Sequence, residues 1–454
     1  MRNQQPPSGY HPRFPGGTAA GARMLRPLGQ LQPWATPRMS WIGTICFFAL
    51  VLCTLGSLNG IALLAFGIVR FFSPLMLGLC ITILLVLRLA MIRSLGTAGL
   101  WYVGFLLSYL AISLFNGFSD SSLYLLQYHI TAAMVMVCCA MGARHVALAT
   151  SPRTVLRIAF IIALFPVVYA ILGTIFPGRF YPYGKAKLLE RAAGSFGNAN
   201  ATGAVICLAV AIGFGCLLFE KRRLYIMLGI GMSAIACMLT FSRASIIMLL
   251  GVAFVQIFIS PLIKRKSMAL AMILAVGGVF WFLAAGVNLL TAATSEQMHR
   301  INSLWNIFSG STSSEDTGGR LILIQAALEE WTENPILGRG FGSFRQLEVT
   351  GGGPHNVFLL VLGEGGLIPF FALIAFCGVF LHQAWICKVP GVRVASLSCL
   401  MVFLGFCMTN HGVAYSQSVW TAMGIMCGLM AAAKETTGHR ELPQAALAQP
   451  LRRP

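Results

Sequence analysis

A histidine with glycines before it and an asparagine after it is the best candidate in this chain for proton transfer. His355 stands between Gly351-Gly352-Gly353-Pro354 and Asn356. An imidazole changes its charge near neutral pH, so it can take a proton from a hydroxyl group that is about to react. The same pattern is also typical of a residue that caps an apolar helix. Two hypotheses therefore stand for His355, general base and helix cap.

Acidic residues are too few for a site that holds a metal and a nucleotide. The chain has 13 of them, and Asp120 and Asp316 are its only aspartates. A D-x-D pair cannot form, which argues against divalent-metal chemistry on a sugar nucleotide. Glu329 and Glu330 are adjacent and diverge on a helix, so we interpret them as a solvated face. The sequence predicts no metal site and no cofactor.

One glutamate and two histidines fall inside or at the end of apolar segments. Glu364 follows His355 at a distance of about two to three helical turns. Ionisable residues inside membrane segments are usually functional, but Gly363-Glu364-Gly365-Gly366 is equally typical of a packed helix break. Both hypotheses stay open for Glu364. His129 is interpreted as a buried hydrogen-bonding residue, and His411 is left open between the two roles.

These residues belong to a chain that cannot form an ordinary soluble surface. Of its 454 residues, 57% are hydrophobic and 10% are charged, whereas soluble domains carry about 25% charged residues. Apolar runs recur from Trp41 to Ala433. We predict an all-α polytopic membrane protein with about 12 transmembrane helices. Soluble enzymes, zinc fingers and disulfide scaffolds are excluded.

The predicted membrane domain covers residues 41–433, between disordered cytoplasmic tails at 1–40 and 434–454. The first tail has no apolar core of a signal peptide, so the first span is predicted to be an uncleaved signal-anchor. The 13 cysteines form no C-x-x-C motif, and we predict that they are small core residues. The spans are predicted at 42–60, 71–90, 96–114, 121–141, 154–176, 199–219, 224–241, 244–262, 267–290, 356–381, 394–411 and 415–433.

The distribution of charge predicts the orientation. With the N-terminus in the cytoplasm, 22 of the 32 basic residues lie inside and nine of the 13 acidic residues lie outside. This bias predicts that both termini are cytoplasmic. The net charge of +19 is then explained by topology and anionic lipids, and not by nucleic acid. Two long external loops are predicted, at 177–198 and 291–355.

Basic residues on the external side indicate that an anion binds at the outer membrane surface. Most of them lie in the two external loops, whereas Arg243 stands in Phe241-Ser242-Arg243 at the mouth between two spans. These external basic residues are Arg70, Arg179, Lys185, Lys187, Arg191, Arg243, Arg300, Arg320, Arg339 and Arg345.

The longer external loop contains a helical pattern and a glycine-rich turn. The spacing of apolar residues in 320–331 predicts an amphipathic helix that lies on the membrane or covers a cavity. Gly338-Arg339-Gly340-Phe341-Gly342 follows it, and this segment is either a flexible lid hinge or a loop turn. The predicted apolar face consists of Leu321, Ile324, Leu328 and Trp331.

Three segments together resemble the O-antigen ligase and polymerase superfamily, over roughly residues 190–370. The first segment is 191–200, and it departs from the family at Asn198-Ala199-Asn200, where Asn-Pro-Asn is more usual. The second is Phe241-Ser242-Arg243. The third runs through Gly319-Arg320, Trp331, Pro335, Gly338, Gly340, Gly342, His355-Asn356 and Glu364-Gly365-Gly366.

The resemblance implies a GT-C-like glycosyltransferase of the bacterial inner membrane that acts at the periplasmic face. Its donor would be a glycan on undecaprenyl diphosphate, with no nucleotide sugar and no metal. Arg191, Arg243 and Arg320 would hold the diphosphate, because guanidinium groups grip phosphate through two hydrogen bonds. His355 would orient or deprotonate the acceptor hydroxyl for one inverting displacement. The supporting residues would be Asn198, Asn200, Asn356 and Glu364.

Several activities remain compatible with this resemblance. We expect a ligase that transfers a finished chain to lipid A–core, and the alternative is a polymerase that joins lipid-linked repeat units of an O-antigen or exopolysaccharide. A protein O-oligosaccharyltransferase is less expected. A polysaccharide flippase is disfavoured, because transporters place ionisable groups near the membrane midplane, and here the charge gathers at the external side.

Overall fold

Helices form all the regular structure in the part of the chain that can be described. The computed structural model describes residues 40–66, 72–87, 91–115, 120–176, 180, 194–196, 198–261, 320–345, 353–410 and 416–447. Within these ranges there are 14 α-helices, two short 3-10 helices and no strand. The α-helices are α1 (Trp41–Thr54), α2 (Leu58–Phe66), α3 (Phe72–Leu87), α4 (Met91–Phe115), α5 (Asp120–Ala149), α6 (Pro152–Ile175), α7 (Ala199–Leu217), α8 (Leu224–Leu239), α9 (Arg243–Ile259), α10 (Arg320–Glu333), α11 (Val357–Gly365), α12 (Leu367–Ile386), α13 (Pro390–Cys407) and α14 (Gln417–Leu447).

Several of these helices have the length and composition of membrane spans. Six described helices, α4, α5, α6, α7, α12 and α13, contain segments that are long and apolar enough to cross a membrane, and four more apolar helices are shorter. Together they confirm the predicted all-helical polytopic membrane protein. The predicted span 267–290 lies outside the described residues, so the count of about 12 spans and the GT-C arrangement stay predictions.

Short polar side chains fix where several helices begin. Ser40 caps α1 and Ser151 caps α6, and Pro152 follows Ser151 at the first helical position. Asn198, Ser242 and Asn356 cap α7, α9 and α11 in the same way. Each side-chain oxygen accepts a hydrogen bond from a backbone N–H that the helix leaves unsatisfied. In a membrane domain this matters more, because lipid offers no replacement partner.

Two predicted spans are each divided into two helices, which corrects the continuous span predicted at 42–60 and confirms the helix-break hypothesis for Gly363-Glu364-Gly365-Gly366. The predicted span 42–60 is broken after α1 at Leu55–Ser57, and α2 begins at Leu58. The predicted span 356–381 is broken at Gly366, whose φ of 71° is left-handed. Average hydropathy does not detect such breaks, because the flanking residues remain apolar. The last helix, α14, also continues to Leu447, beyond the predicted end of its span.

Glycines and aromatic residues hold the central helices together. A Cβ on Gly424 would lie 2.3 Å from the Met136 carbonyl oxygen, and one on Gly428 would lie 2.2 Å from that of Ala140. The four-residue spacing of these glycines lets α14 approach the backbone of α5 closely. Trp420 of α14 then joins neighbouring helices, with its ring 4.3 Å from that of Tyr102.

A second group of helices, α7, α9 and α13, packs just as closely. A Cβ on Gly203 of α7 would lie 1.9 Å from Ser245 Oγ, and one on Gly405 of α13 would lie 2.6 Å from Met248 Cγ. Deeper in this group, Gln256 donates a buried hydrogen bond of 3.0 Å to Ser398. The 13 cysteines are all free, and 12 of them are buried, which confirms their prediction as core residues.

Candidate functional site

His355 has a strained backbone and an exposed side chain at the start of α11. Its φ is +45°, a left-handed value that is uncommon for residues other than glycine. Asn356 follows as the cap, and its Oδ1 accepts hydrogen bonds from the backbone N–H groups of Phe358 at 2.9 Å and Leu359 at 3.2 Å. The cap function therefore belongs to Asn356. His355 is held beside the cap and is an exposed residue.

Arg243 is placed by a local arrangement of the same kind. Phe241 has a φ of +48°, Ser242 caps α9, and Arg243 is the first helical residue. The Ser242 hydroxyl also donates a 2.8 Å hydrogen bond to Oδ1 of Asn200 on α7. Asn198 Oδ1 caps α7 by accepting from the backbone of Asn200 at 2.9 Å. The N-terminal ends of α7 and α9 are thus tied together by side chains.

The Arg243 end of α9 and the His355 end of α11 lie at the same end of the helix bundle. Helix α9 runs antiparallel to α13, since Met248 approaches Gly405 while Gly251, further along α9, approaches the earlier Met401. The C-terminal end of α13 is therefore near Arg243. At that end, Met408 Sδ lies 3.9 Å from Nδ2 of Asn356. The helix end that carries Arg243 and the helix end that carries His355 are therefore both near the C-terminal end of α13.

The other predicted anion-binding residues are described less fully. Arg320 is the first residue of α10, and only its backbone is described. Arg191 and His411 lie outside the described residues, as do residues 181–193 and 291–319 of the two predicted external loops. Their roles stay predictions. Among the described residues, no group of three His, Cys, Asp or Glu side chains is arranged to hold a metal ion.

Glu364 is buried at the far end of α11 from His355. Its exposure is 2%, and its carboxylate accepts a hydrogen bond from the Tyr109 hydroxyl of α4. His129 of α5 is also buried, with its ring 5.7 Å from that of Tyr109 and 5.0 Å from that of Phe341. Tyr109, His129 and Phe341 border a small apolar cavity of about 150 Å³. His129 is a core residue, as the sequence predicted.

The glycine-rich segment 336–342 packs against the break between α11 and α12. The Arg339 N–H donates to the Gly363 carbonyl at 2.8 Å, and the Gly340 N–H donates to that of Glu364 at 3.0 Å. In the other direction, the Leu367 N–H donates to the Ile336 carbonyl at 3.2 Å. Of the two hypotheses for this segment, the structure supports an ordered turn, since its backbone is hydrogen-bonded to a membrane helix.

Glu330 is not part of a solvated face, which corrects the sequence prediction. Its exposure is 8%, and its carboxylate accepts a 2.6 Å hydrogen bond from the Arg339 guanidinium. Glu333 lies 3.4 Å from the same guanidinium, whereas Glu329 is exposed. Arg339 therefore connects α10 to the glycine-rich turn through charged hydrogen bonds.

The amphipathic helix predicted at residues 320–331 is confirmed as α10, but its buried face differs. Ala326 and Ala327 are buried against Phe344 and Leu360, while the predicted face residue Leu328 is 39% exposed. Small residues allow α10 to lie close to α11, which a search for large apolar residues does not detect. Further members of this contact are Leu323 and Trp331.

Sequence reasoning missed Tyr109 and Arg339 as partners of the site. Tyrosine is common in apolar spans, so Tyr109 gave no signal. Arg339 was noted only as an external basic residue. A usable signal was the pairing of two glycine-rich segments, 338–342 and 363–366, since close backbone contact between segments requires glycine.

These features define a multi-pass membrane protein with an imidazole and a guanidinium at one end of its helix bundle. Comparison with known families identifies the class. Residues 228–377 match the O-antigen ligase family, which confirms the resemblance to the O-antigen ligase and polymerase superfamily. The matched segment includes Arg243, Arg320, His355 and Glu364 but not Arg191. No curated protein matches the chain. The family supports glycan transfer of the ligase or polymerase type.

Proposed function

We propose that this protein transfers a glycan from undecaprenyl diphosphate to an acceptor at the periplasmic face, as an O-antigen ligase. The observation that carries the proposal is the position of His355. Within the matched family segment, it is exposed and strained beside a helix cap, at the same end of the bundle as Arg243. Strained residues persist where the surrounding structure enforces them, and they cluster at functional sites.

In the proposed reaction, His355 acts on the acceptor. Its imidazole accepts the proton of the acceptor hydroxyl while that oxygen attacks the anomeric carbon of the donor glycan. The bond between this carbon and the diphosphate oxygen breaks, and the electron pair leaves with the diphosphate. One displacement of this kind inverts the anomeric configuration. The products are the glycosylated acceptor, undecaprenyl diphosphate and a protonated His355, which returns its proton to water.

Arginines stabilise the leaving group in this proposal. The diphosphate gains negative charge as the bond breaks, and a guanidinium stabilises that charge through two parallel hydrogen bonds. Arg243 is supported by its place at the first turn of α9, where the helix dipole also favours an anion. Arg191 and Arg320 complete the proposed set. The reaction needs no metal and no cofactor.

The support for this function includes the fixed backbone around both proposed groups. Asn356 caps the helix beside His355, and Asn198, Asn200 and Ser242 hold the helix ends beside Arg243. Preorganised groups stabilise a transition state without reorganising during the reaction. Acceptor identity is proposed from the family, with lipid A–core as the ligase acceptor and a lipid-linked glycan as the polymerase acceptor.

Deletion of the gene tests the proposed activity in cells. Loss of a ligase leaves long glycan chains on undecaprenyl diphosphate while lipid A–core remains bare, as read from gels and lipid extracts. Single repeat units without long chains would identify a polymerase instead. Unchanged surface polysaccharide with a missing glycan on a protein would identify an oligosaccharyltransferase. Accumulation of donor in the cytoplasmic leaflet would identify a flippase, and each of these three results would overturn the ligase proposal.

Transfer by the purified protein tests the chemistry. We expect glycan transfer from a lipid-linked donor in the presence of EDTA, at the rate observed without it. Loss of transfer on adding EDTA, with recovery on adding a divalent cation, would contradict the metal-free mechanism. The anomeric configuration of the product, measured by NMR, should be opposite to that of the donor.

A further inference from the structure

Helix α11 is a half-helix. Its C-terminal end, called the lower end below, is fixed by a loop rather than by the helix that follows, and its N-terminal end beside His355 is called the upper end. Its nine residues end at Gly366, where the left-handed φ of 71° breaks the span. A break inside a membrane domain must have its backbone groups satisfied by other protein groups. Here Arg339 and Gly340 donate to the carbonyls of Gly363 and Glu364. The broken end of α11 is therefore joined to the glycine-rich turn.

Side chains fix the same end of α11 a second time. Tyr109 donates a hydrogen bond to the buried carboxyl group of Glu364, and a buried polar group that loses such a partner costs free energy. The Phe344 ring also presses on Gly363, where a Cβ would lie 2.1 Å from it. Tyr109 is itself fixed, because its helix α4 carries Tyr102 into the aromatic core around Trp420.

The N-terminal end of α11, which follows His355, is held by other contacts among the described residues. Asn356 is the cap, and its amide lies beside Met408 Sδ, a weak acceptor. The preceding His355 holds a left-handed backbone, which relaxes unless the surrounding structure enforces it. A short helix that is free at its lower end can rotate or shift along its axis. The position of His355 then depends on how firmly the lower end is held.

Distance separates this role from a direct part in the reaction. Eight residues separate Glu364 from Asn356, which is about 12 Å along a helix axis. Glu364 is 2% exposed and lies among Tyr109, Phe341 and the α11–α12 break. The Glu364 carboxyl group is therefore buried in protein and distant from the helix end that carries His355. Any effect of Glu364 on transfer therefore passes through α11.

We propose that Tyr109 and Glu364 are positioning residues that hold half-helix α11 and thereby set the place of His355. The part of the inference that concerns glycan transfer rests on the proposed function. The structural part, in which contacts at the lower end of α11 control the mobility of its upper end, stands independently and can be measured without activity.

The structural part is tested by thiol labelling of a His355→Cys protein with a membrane-impermeant maleimide. The native cysteines give a low background, because 12 of the 13 are buried, and the parent protein without the substitution measures it. We expect Tyr109→Phe and Glu364→Ala to change the labelling rate by about tenfold, which corresponds to the loss of one hydrogen bond. Glu364→Gln should stay near the parent rate, because its amide oxygen still accepts from Tyr109.

Ser398→Ala is the matched control, since it removes a buried polar hydrogen bond from α9 and α13 instead. Its labelling rate should equal that of the parent. If Glu364→Ala does not fold, Tyr109→Phe decides the question, since it removes one oxygen atom. Parental labelling rates in folded Tyr109→Phe would overturn the proposal.

The functional part is measured on proteins that retain His355. Tyr109→Phe should lower kcat for transfer and leave the KM for the lipid-linked donor unchanged, because the proposed donor-binding arginines are not moved. A rise in donor KM with unchanged kcat would overturn the positioning role. If the parent protein shows no transfer, the proposed function fails. The labelling result still decides whether the contacts at the C-terminal end of α11 hold this helix in place.

Discussion

The His355 region and the Arg243 region use the same local arrangement with opposite consequences. In each, a left-handed residue precedes a polar cap, and a short polar sequence starts a membrane helix. Arg243 comes after its cap, inside the first turn of α9, and the cap is bonded to the neighbouring α7. His355 comes before its cap, and its helix is also fixed at the opposite end, through Glu364 and the glycine-rich turn.

This difference teaches that two groups at one end of a helix bundle can be positioned by different parts of the structure. A side chain within a long helix is positioned by that helix, whereas one on a half-helix also depends on contacts at the break. In both cases a group that is fixed in advance stabilises a transition state without reorganising. The predictions that follow separate these two cases.

Removal of the imidazole should have the largest effect. His355→Ala is expected to lower transfer by ~10²–10⁴-fold, the usual range for loss of a general base. His355→Gly should lose as much activity while melting at or above the parent temperature, because glycine adopts the left-handed backbone without strain. Transfer assays and melting curves on purified protein check both variants. Near-normal transfer by a normally folded His355→Ala would remove the imidazole from the mechanism.

Removal of the guanidinium should have the next largest effect and a different signature. Arg243→Ala is expected to lower transfer by about 10²-fold, as for loss of one group that stabilises a transition-state charge. Arg243→Lys should recover only part of this, because an ammonium keeps the charge but loses the planar fork. Donor kinetics check the result. Full activity in Arg243→Lys would show that charge alone suffices and would weaken the diphosphate assignment.

Removal of each helix cap should have a smaller effect, which differs between the two regions. Ser242→Ala and Asn356→Ala should each lower stability by about 1 kcal/mol, the usual value of an N-cap. We expect Ser242→Ala to raise the donor KM, because it also removes the bond to Asn200, and Asn356→Ala to lower kcat. Denaturation and steady-state kinetics measure these effects. The same kinetic change in both variants would abolish the distinction between the two regions.

A charged pair near the starts of α6 and α8 should have the smallest effect. Arg153 donates to the buried Glu220 carboxylate at 2.9 and 2.5 Å, and these hydrogen bonds lower the pKa of Glu220. A lowered folded-state pKa stabilises the protein above the unfolded pKa of about 4.3, and this stabilisation is lost as pH falls through the folded value. Glu220→Gln should lower the melting temperature slightly at pH 7 and have no effect at the acid end.

Transfer at pH 7 should be unaffected by Glu220→Gln, because the pair is assigned no role at the His355 end. A loss of activity comparable to that of Arg243→Lys would show that the two ends of the bundle are coupled. Such coupling would contradict the view that the Arg243 region is positioned by its own cap contacts and the His355 region by its cap and the break between α11 and α12.

The membrane class and most helix positions were predictable from the sequence. The predicted spans 199–219, 224–241 and 244–262 correspond to α7, α8 and α9 within a few residues. Their positions follow from hydrophobic runs, which report the transfer of side chains into lipid independently of their neighbours. The candidates His355, Arg243 and Asn356 were also found by sequence, because polar residues at the end of an apolar run are conspicuous. The superfamily resemblance was confirmed as well.

The partners of these residues were decided only by the tertiary structure. The sequence did not pair Glu330 with Arg339, or Glu364 with Tyr109, because both pairs depend on how separate helices pack. A helix break at Gly363-Glu364-Gly365-Gly366 was one of two hypotheses from the sequence, and only the structure decided it, since a backbone break within an apolar run becomes stable only when another segment supplies its hydrogen bonds. Hydrophobicity is a property of each residue and is read locally. The satisfaction of buried polar groups is a property of contacts, and only the folded chain brings those contacts together.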